Sequence, residues 1–311
     1  MKKIVAIGGG TGLYALLSGL KEYPVELTAI VSTMDSGGSS GVLRTELGIL
    51  PPGDIRNCLI ALSSDTRGMY KLFQHRFTKG GLANHSVGNL LIAALTELNA
   101  GNFFKAIQEA EKILSVKGHV LPVTLQKHHL CARLENGKTL VGEKKLDEKI
   151  AGARIKQVFL KPKASIVLPQ ALDAIKKADA IILGPGSLYG SVIANLLVDD
   201  LPKVIRNSRA KKIYVCNAMT EGGQTYGFTA RDHVMEVEKY LGKNSLDVII
   251  ANSKKPSKKA IAKYEREHAK FVEPDIYSSG KTKVVKGNFI TSSELVRYDS
   301  KKLAKAIVSS C

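Results

Sequence analysis

Lys3-Ile4-Val5-Ala6-Ile7-Gly8-Gly9-Gly10-Thr11-Gly12 stands almost at the start of the chain. Four consecutive apolar residues that end at glycine are the pattern of a short strand buried on both faces. The glycines allow a tight turn into a helix. Such a turn leaves backbone amides free at a helix N-terminus, where no Cβ keeps a phosphate oxygen away and the helix adds a positive field. Gly10, Gly12 and Ala15 also satisfy the G-x-G-x-x-A spacing of dinucleotide-binding turns. Gly9, Gly10, Thr11 and Gly12 are therefore candidate ligand contacts. The plainer alternative is a structural turn.

The same alternation continues outward. Residues 26–31 form a second strand pattern, 86–98 a helix apolar all round, and 102–115 a helix with Phe103, Ile107, Ala110 and Leu114 on one face. Residues 119–160 change character: the pattern alternates and Asn136-Gly137 signals a hairpin. Beyond it come a helix over 169–178, strands over 180–183, 212–216 and 247–251, and a last helix from about Ser300. Strands alternating with helices predict a Rossmann-like, doubly wound α/β fold with a mostly parallel sheet and a small β excursion. We expect one nucleotide-binding domain over residues 1–311, with a polar, mobile stretch at 254–279.

Five further loops follow predicted strands or precede predicted helices. Ser32-Thr33-Met34-Asp35-Ser36-Gly37-Gly38-Ser39-Ser40-Gly41 is crowded with hydroxyls and glycine. Ser36, Gly38 and Ser39 suit an anion, and Asp35 suits a ribose hydroxyl or Mg²⁺. In Pro51-Pro52-Gly53-Asp54-Ile55-Arg56-Asn57, Asp54 is either a helix N-cap or a ligand contact, and Arg56 and Asn57 are candidate phosphate partners. Asn89 and, less specifically, His85 flank another loop-to-helix junction. Gly184-Pro185-Gly186-Ser187 and Asn217-Ala218-Met219-Thr220 both follow strands, which adds Gly186, Ser187, Asn217 and Thr220. Open α/β sheets bind ligands at the carboxyl edge of their strands, and the loops that follow predicted strands fall there.

Composition narrows the function classes. Of 311 residues, 44% are hydrophobic, enough for a sizeable core, yet no apolar run reaches the length of a membrane helix. Cys58, Cys131, Cys216 and Cys311 show no paired spacing, so neither disulfides nor a zinc site is expected and a cytoplasmic setting fits. The net charge of +18 is spread along the chain. Only Lys254-Lys255-Pro256-Ser257-Lys258-Lys259 clusters, without interleaved aromatic residues, so we expect attraction for small anions and no nucleic-acid partner. No Walker A lysine follows a glycine loop, and no Ser/His/Asp order stands out. A dehydrogenase reading rests on the glycine spacing alone. The sequence leaves a homo-oligomer open.

Taken together and in order, Gly8–Gly12, Asp35–Gly41, Pro51–Asn57, Gly88-Asn89-Leu90, Gly184–Tyr189 and Cys216–Thr220 resemble the YvcK branch of the CofD-like family, the gluconeogenesis factors, from residue 4 to about residue 309. The resemblance implies a Rossmann-like core and a cytoplasmic bacterial role in growth and cell shape on gluconeogenic carbon sources. It also implies binding of UDP-sugars, notably UDP-N-acetylglucosamine, and protein partners in cell-wall regulation. It points to Tyr264 and Arg297 as contacts for base and diphosphate. Related CofD enzymes transfer a phospholactyl group from a guanosine diphosphate carrier to a deazaflavin with Mg²⁺. They carry two adjacent aspartates where this chain has Asp35-Ser36. We therefore expect a binding factor without catalytic residues, resident metal or cofactor. The alternative is a 2-phospho-L-lactate transferase type of enzyme, with Mg²⁺ at Asp35 and Asp54.

Overall fold

The computed structural model describes residues 1–65, 68–147, 153–291, 293 and 295–311. Seven strands form the main sheet: β1 (Lys2–Gly8), β2 (Val25–Val31), β3 (His119–Pro122), β7 (Ala180–Leu183), β8 (Lys211–Val215), β9 (Val248–Asn252) and β10 (Lys283–Gly287). Their order is β10-β9-β8-β7-β1-β2-β3, and every neighbouring pair is parallel. The chain thus winds outward from β1 to β3, returns to the other side of β1, and winds outward again. The reversal between β1 and β7 is the crevice where doubly wound sheets hold ligands.

The apolar runs read as strands because both faces are covered. Ile4 and Ala6 of β1 join one core with Ile182 and Val215, packed by helix α1 (Gly10–Leu20). Val5 and Ile7 join the other with Ile181, Leu183 and Tyr214. Period-2 alternation sends neighbours to opposite cores. Helices α2 (Gly38–Glu46), α3 (Gly53–Leu62), α4 (Met69–Gln74), α5 (Val87–Leu98) and α6 (Phe103–Ile113) lie between β2 and β3. Phe103, Ile107, Ala110 and Leu114 share one buried face, as their spacing predicts.

The β excursion needs a corrected boundary. β4 (His129–Leu134), β5 (Thr139–Val141) and β6 (Ile155–Lys161) form a separate antiparallel sheet, with Gly137 at φ +84° in the β4–β5 turn. Residues 119–122, however, belong to the main sheet as β3, with Thr28 opposite His119. A four-residue edge strand has too few residues for alternation to reveal which sheet it joins. Residues 148–152 of the expected excursion lie outside the described residues. The polar stretch 254–279 carries a helix, Lys258–Arg266, and the backbone of Lys270 bonds that of Thr220. Among the described residues no helix is long and apolar enough to cross a membrane.

Helix α1 and the C-terminal helix, Ser300–Val308, meet at Gly19, where a Cβ would collide with the Ser300 carbonyl and lie 2.9 Å from the Ala304 Cβ. Gly19→Ala should therefore destabilise the fold by about 1–3 kcal/mol through overpacking. A shift in the denaturant midpoint with an unchanged m-value checks this. An unchanged midpoint would show that the two helices separate at no cost.

Candidate functional site

Parallel register brings two glycine loops out side by side. Ile7 pairs with Leu183, so β1 and β7 end at the same level, and the Gly184 N–H donates to the Ile7 carbonyl at 2.8 Å. The loops then touch backbone to backbone. A Cβ on Gly12 would stand 2.5 Å from the Pro185 oxygen, and one on Gly186 would stand 3.1 Å from the Gly9 oxygen. Gly10 at φ +64° and Gly184 at φ +76° occupy the left-handed region. Among the described residues, no atom outside Gly10's own turn lies within 4 Å of the position its Cβ would take, and Thr11 is exposed, so the top of the turn is open.

Side chains from later in the chain brace this double loop. Asn195 is fully buried; its amide donates to the Gly8 carbonyl at 3.1 Å and to Ser191 at 2.6 Å. It follows a buried π-helical turn, Leu188–Ile193, a feature frequent at functional sites. Asn217 donates to the Gly186 carbonyl at 2.9 Å. The Ser187 hydroxyl donates to Glu221 at 3.0 Å and accepts from the Gly190 N–H at 3.2 Å. The Oδ1 atoms of Asn195 and Asn217 are buried without a hydrogen-bond partner among the described residues.

A charged wall closes one side. A Cβ on Gly9 would run into Asp54 Oδ2, and one on Gly53 would stand 3.3 Å from Asp35 Oδ2. Pro52 occupies the N-cap of α3 and Asp54 lies in its first turn, so Asp54 is not the cap. Burial, then the Asp35 charge, pushes the Asp54 carboxyl up to about 7, against a bond from the Gly10 amide and the Arg56 charge. The N-terminal field of α3 favours the anion, yet desolvation and a like charge win. Burial and Arg76 bring Arg56 down to about 10, against Asp54. Its guanidinium donates to Ser86, to Asn89 Oδ1 at 3.1 Å and to Asn57 Oδ1 at 2.7 Å. Asn89 in turn donates to Ser39 at 3.0 Å, and Ser39 is 3.0 Å from His85 Nδ1.

The remaining candidates are placed differently. The Ser36 hydroxyl accepts the Lys144 N–H at 3.0 Å and so anchors the β excursion, while Gly38 is exposed at φ +45°. Thr220 is buried and its hydroxyl accepts the Lys270 N–H at 2.8 Å, a strap between segments. The Tyr264 hydroxyl reaches the Val296 carbonyl at 3.4 Å, which brings Tyr264 beside exposed Arg297. The segment of Arg297 is tied to the end of β8 by Tyr298, whose hydroxyl donates to the Cys216 carbonyl. Sequence reasoning missed Asn195 and Glu221. The available signal was a lone amide in the apolar run Val192-Ile193-Ala194-Asn195-Leu196-Leu197-Val198. Among the described residues, no group of three or more His, Cys, Asp or Glu side chains is placed to hold a metal ion.

Asp54 makes stability depend on pH. Its folded value, about 7, lies above the ordinary 3.8, so its contribution is complete below about 3.8 and is lost as pH rises through about 7. Three units correspond to about 4 kcal/mol, which partial exposure of the residue reduces to about 1–3 kcal/mol. Asp54→Asn should therefore be more stable than the parent by that amount at pH 8.5 and match it near pH 4. Equal unfolding curves at both pH values would rule out the raised carboxyl.

Comparison with known proteins agrees with this architecture. The family model "2-phospho-L-lactate transferase CofD" matches residues 4–290. "Gluconeogenesis factor" of Bacillus subtilis is 45% identical over 98% of this chain and 97% of its own. "Gluconeogenesis factor" of Halalkalibacterium halodurans is 44% identical over 99% and 96%. A crystal structure of a UPF0052-family protein from Bacillus halodurans superposes with a TM-score of 0.93 at 43% identity, covering 99% of this chain and 100% of that one. With fold, loop order and length all in agreement, the chain belongs to the CofD family and, within it, stands with the gluconeogenesis factors.

Proposed function

We propose that the protein binds a UDP-sugar, in first place UDP-N-acetylglucosamine, as a regulatory ligand. The role fits a cytoplasmic factor needed for growth and for cell-shape and cell-wall maintenance on gluconeogenic carbon, acting through protein partners. One observation carries the reading: two amide-rich loops pack back to back at the β1/β7 reversal, with Gly10 open above them. A diphosphate laid there meets backbone amides and the N-terminal field of α1. The base is assigned to Tyr264, with Arg297 beside it to pair with phosphate. The net charge of +18 draws such an anion in.

A second reading, a CofD-type transferase of phosphorus-containing groups, has an observation in its favour. Asp35 and Asp54 approach each other beside the glycine loop. They are the two side chains that would hold Mg²⁺, with ligand phosphates supplying further oxygens. Against it, the Ser36 hydroxyl in place of a second adjacent aspartate is engaged by the Lys144 amide. Arg56 is held by Ser86, Asn89 and Asn57. Little remains to follow charge moving in a transition state.

Calorimetric titration with UDP-N-acetylglucosamine, GDP and NAD should show binding of the UDP-sugar in preference to the other two. Gly10→Ala places a methyl where the diphosphate would lie, at a conformational cost of roughly 1 kcal/mol for a positive φ. We expect affinity to fall at least tenfold while the protein stays folded; unchanged affinity would make the loop merely structural.

Mg²⁺ should alter UDP-sugar affinity by less than tenfold, about 1.4 kcal/mol. Mass spectrometry should find the ligand intact after incubation with Mg²⁺. Conversion of UDP-N-acetylglucosamine, or of a CofD-type donor and acceptor pair, that is lost in Asp54→Asn would favour the transferase.

A further inference from the structure

Beside the glycine loops lies a pocket of about 540 Å³ between α2, the turn before α5, and the small β excursion. Its walls include Ser39, Val42, Asn84, His85 and Lys144. It adjoins the diphosphate position through consecutive contacts. Gly9 abuts Asp54, Gly53 abuts Ser40, and Ser39 bonds His85. The excursion is held over it by the Lys144 amide on Ser36. The turn that carries His85 is built: Asn84 sits at φ +69°, its N–H donates to the Phe77 carbonyl at 2.9 Å, and the Phe77 N–H donates to the His85 carbonyl at 2.9 Å.

Hydrogen-bond direction along one wall follows from Arg56, which has only donors. Its Nη1 donates to Asn89 Oδ1, so the Asn89 amide nitrogen faces Ser39 and donates to its oxygen. The Ser39 proton is thereby free to point at His85 Nδ1, 3.0 Å away. In a neutral ring an acceptor Nδ1 leaves the proton on Nε2. In that tautomer His85 Nε2–H is a donor at the pocket wall, at the end of a chain from Arg56 through Asn89 and Ser39. The lining contains hydroxyl, amide, imidazole, carboxylate and ammonium groups and no Phe, Tyr or Trp, so it offers a nucleobase no broad apolar face, only the small His85 ring. Glu46 on the rim disfavours a second phosphate. Paired donors and acceptors without a broad apolar face suit a neutral group bearing several hydroxyls.

We propose that this pocket holds the sugar attached to the ligand's diphosphate and that His85 is a specificity-determining residue for it. The inference rests on the nucleotide-sugar reading above, and its test separates the two. UDP and UDP-N-acetylglucosamine are titrated into the parent protein, Val42→Trp, His85→Ala and His85→Gln, with thermal unfolding to confirm that each is folded. The parent should prefer UDP-N-acetylglucosamine over UDP at least tenfold. Val42→Trp fills the pocket and should bind UDP as the parent does, with the preference gone. His85→Ala should lose most of the preference, and His85→Gln, which keeps a donor, should recover part of it.

Folded variants that retain the full preference overturn the proposal. A parent that binds UDP and UDP-N-acetylglucosamine equally also overturns it but leaves the nucleotide site standing. A parent that binds neither removes the nucleotide reading and the sugar pocket with it.

Discussion

The contact on which the rest of the site depends is backbone against backbone: Gly12 on the Pro185 carbonyl and Gly186 on the Gly9 carbonyl. It arises because β1 and β7 are parallel neighbours in matched register, Ile4 to Ala180 and Ile7 to Leu183. Any side chain at these glycines would hold the loops apart. With the loops together, amides from two strand ends converge on one place, and Asn195 and Asn217 fix the carbonyls behind them. The π-helical turn after β7 is part of the same brace, since it carries Ser191 to within hydrogen-bond distance of Asn195.

Electrostatics at the site runs in two directions. The amides and the overall positive charge favour an anion, whereas Asp35 and Asp54 oppose one. Desolvation resolves part of the conflict by favouring the neutral form of Asp54. Arg56 is less free than a phosphate ligand would need to be, because Ser86, Asn89 and Asn57 engage its Nη1 and Nη2 groups. Its effect is to orient a polar network as well as to set a local charge.

Distant segments reach the same sheet edge through a few hydrogen bonds. The Tyr298 hydroxyl on the Cys216 carbonyl draws in the C-terminal hairpin, and the Lys270 backbone on Thr220 draws in the stretch after β9. These straps bring Tyr264 and Arg297 into one neighbourhood although 33 positions separate them in the chain. They also assign Thr220 a supporting task that its motif position did not disclose.

Local chemistry made much of this legible in the sequence. The apolar run Ile4-Val5-Ala6-Ile7 and the glycines after it specify strand and turn within a few residues, so the α/β alternation and the glycine loops could be read without coordinates. The Asn136-Gly137 turn was equally local. Other features required the folded chain. Four residues at His119–Pro122 could not reveal that they pair with β2, and β10 carries lysines at exposed positions that mask its strand pattern. Whether Asp54 capped a helix or faced Gly9 turned on a contact across 45 residues, and its raised carboxyl on burial that no motif encodes. The brace by Asn195 and the line from Arg56 to His85 join residues far apart in sequence. Glycine and apolar patterns act through nearest neighbours along the chain, whereas register, burial and hydrogen-bond direction exist only once the sheet has brought separate loops together.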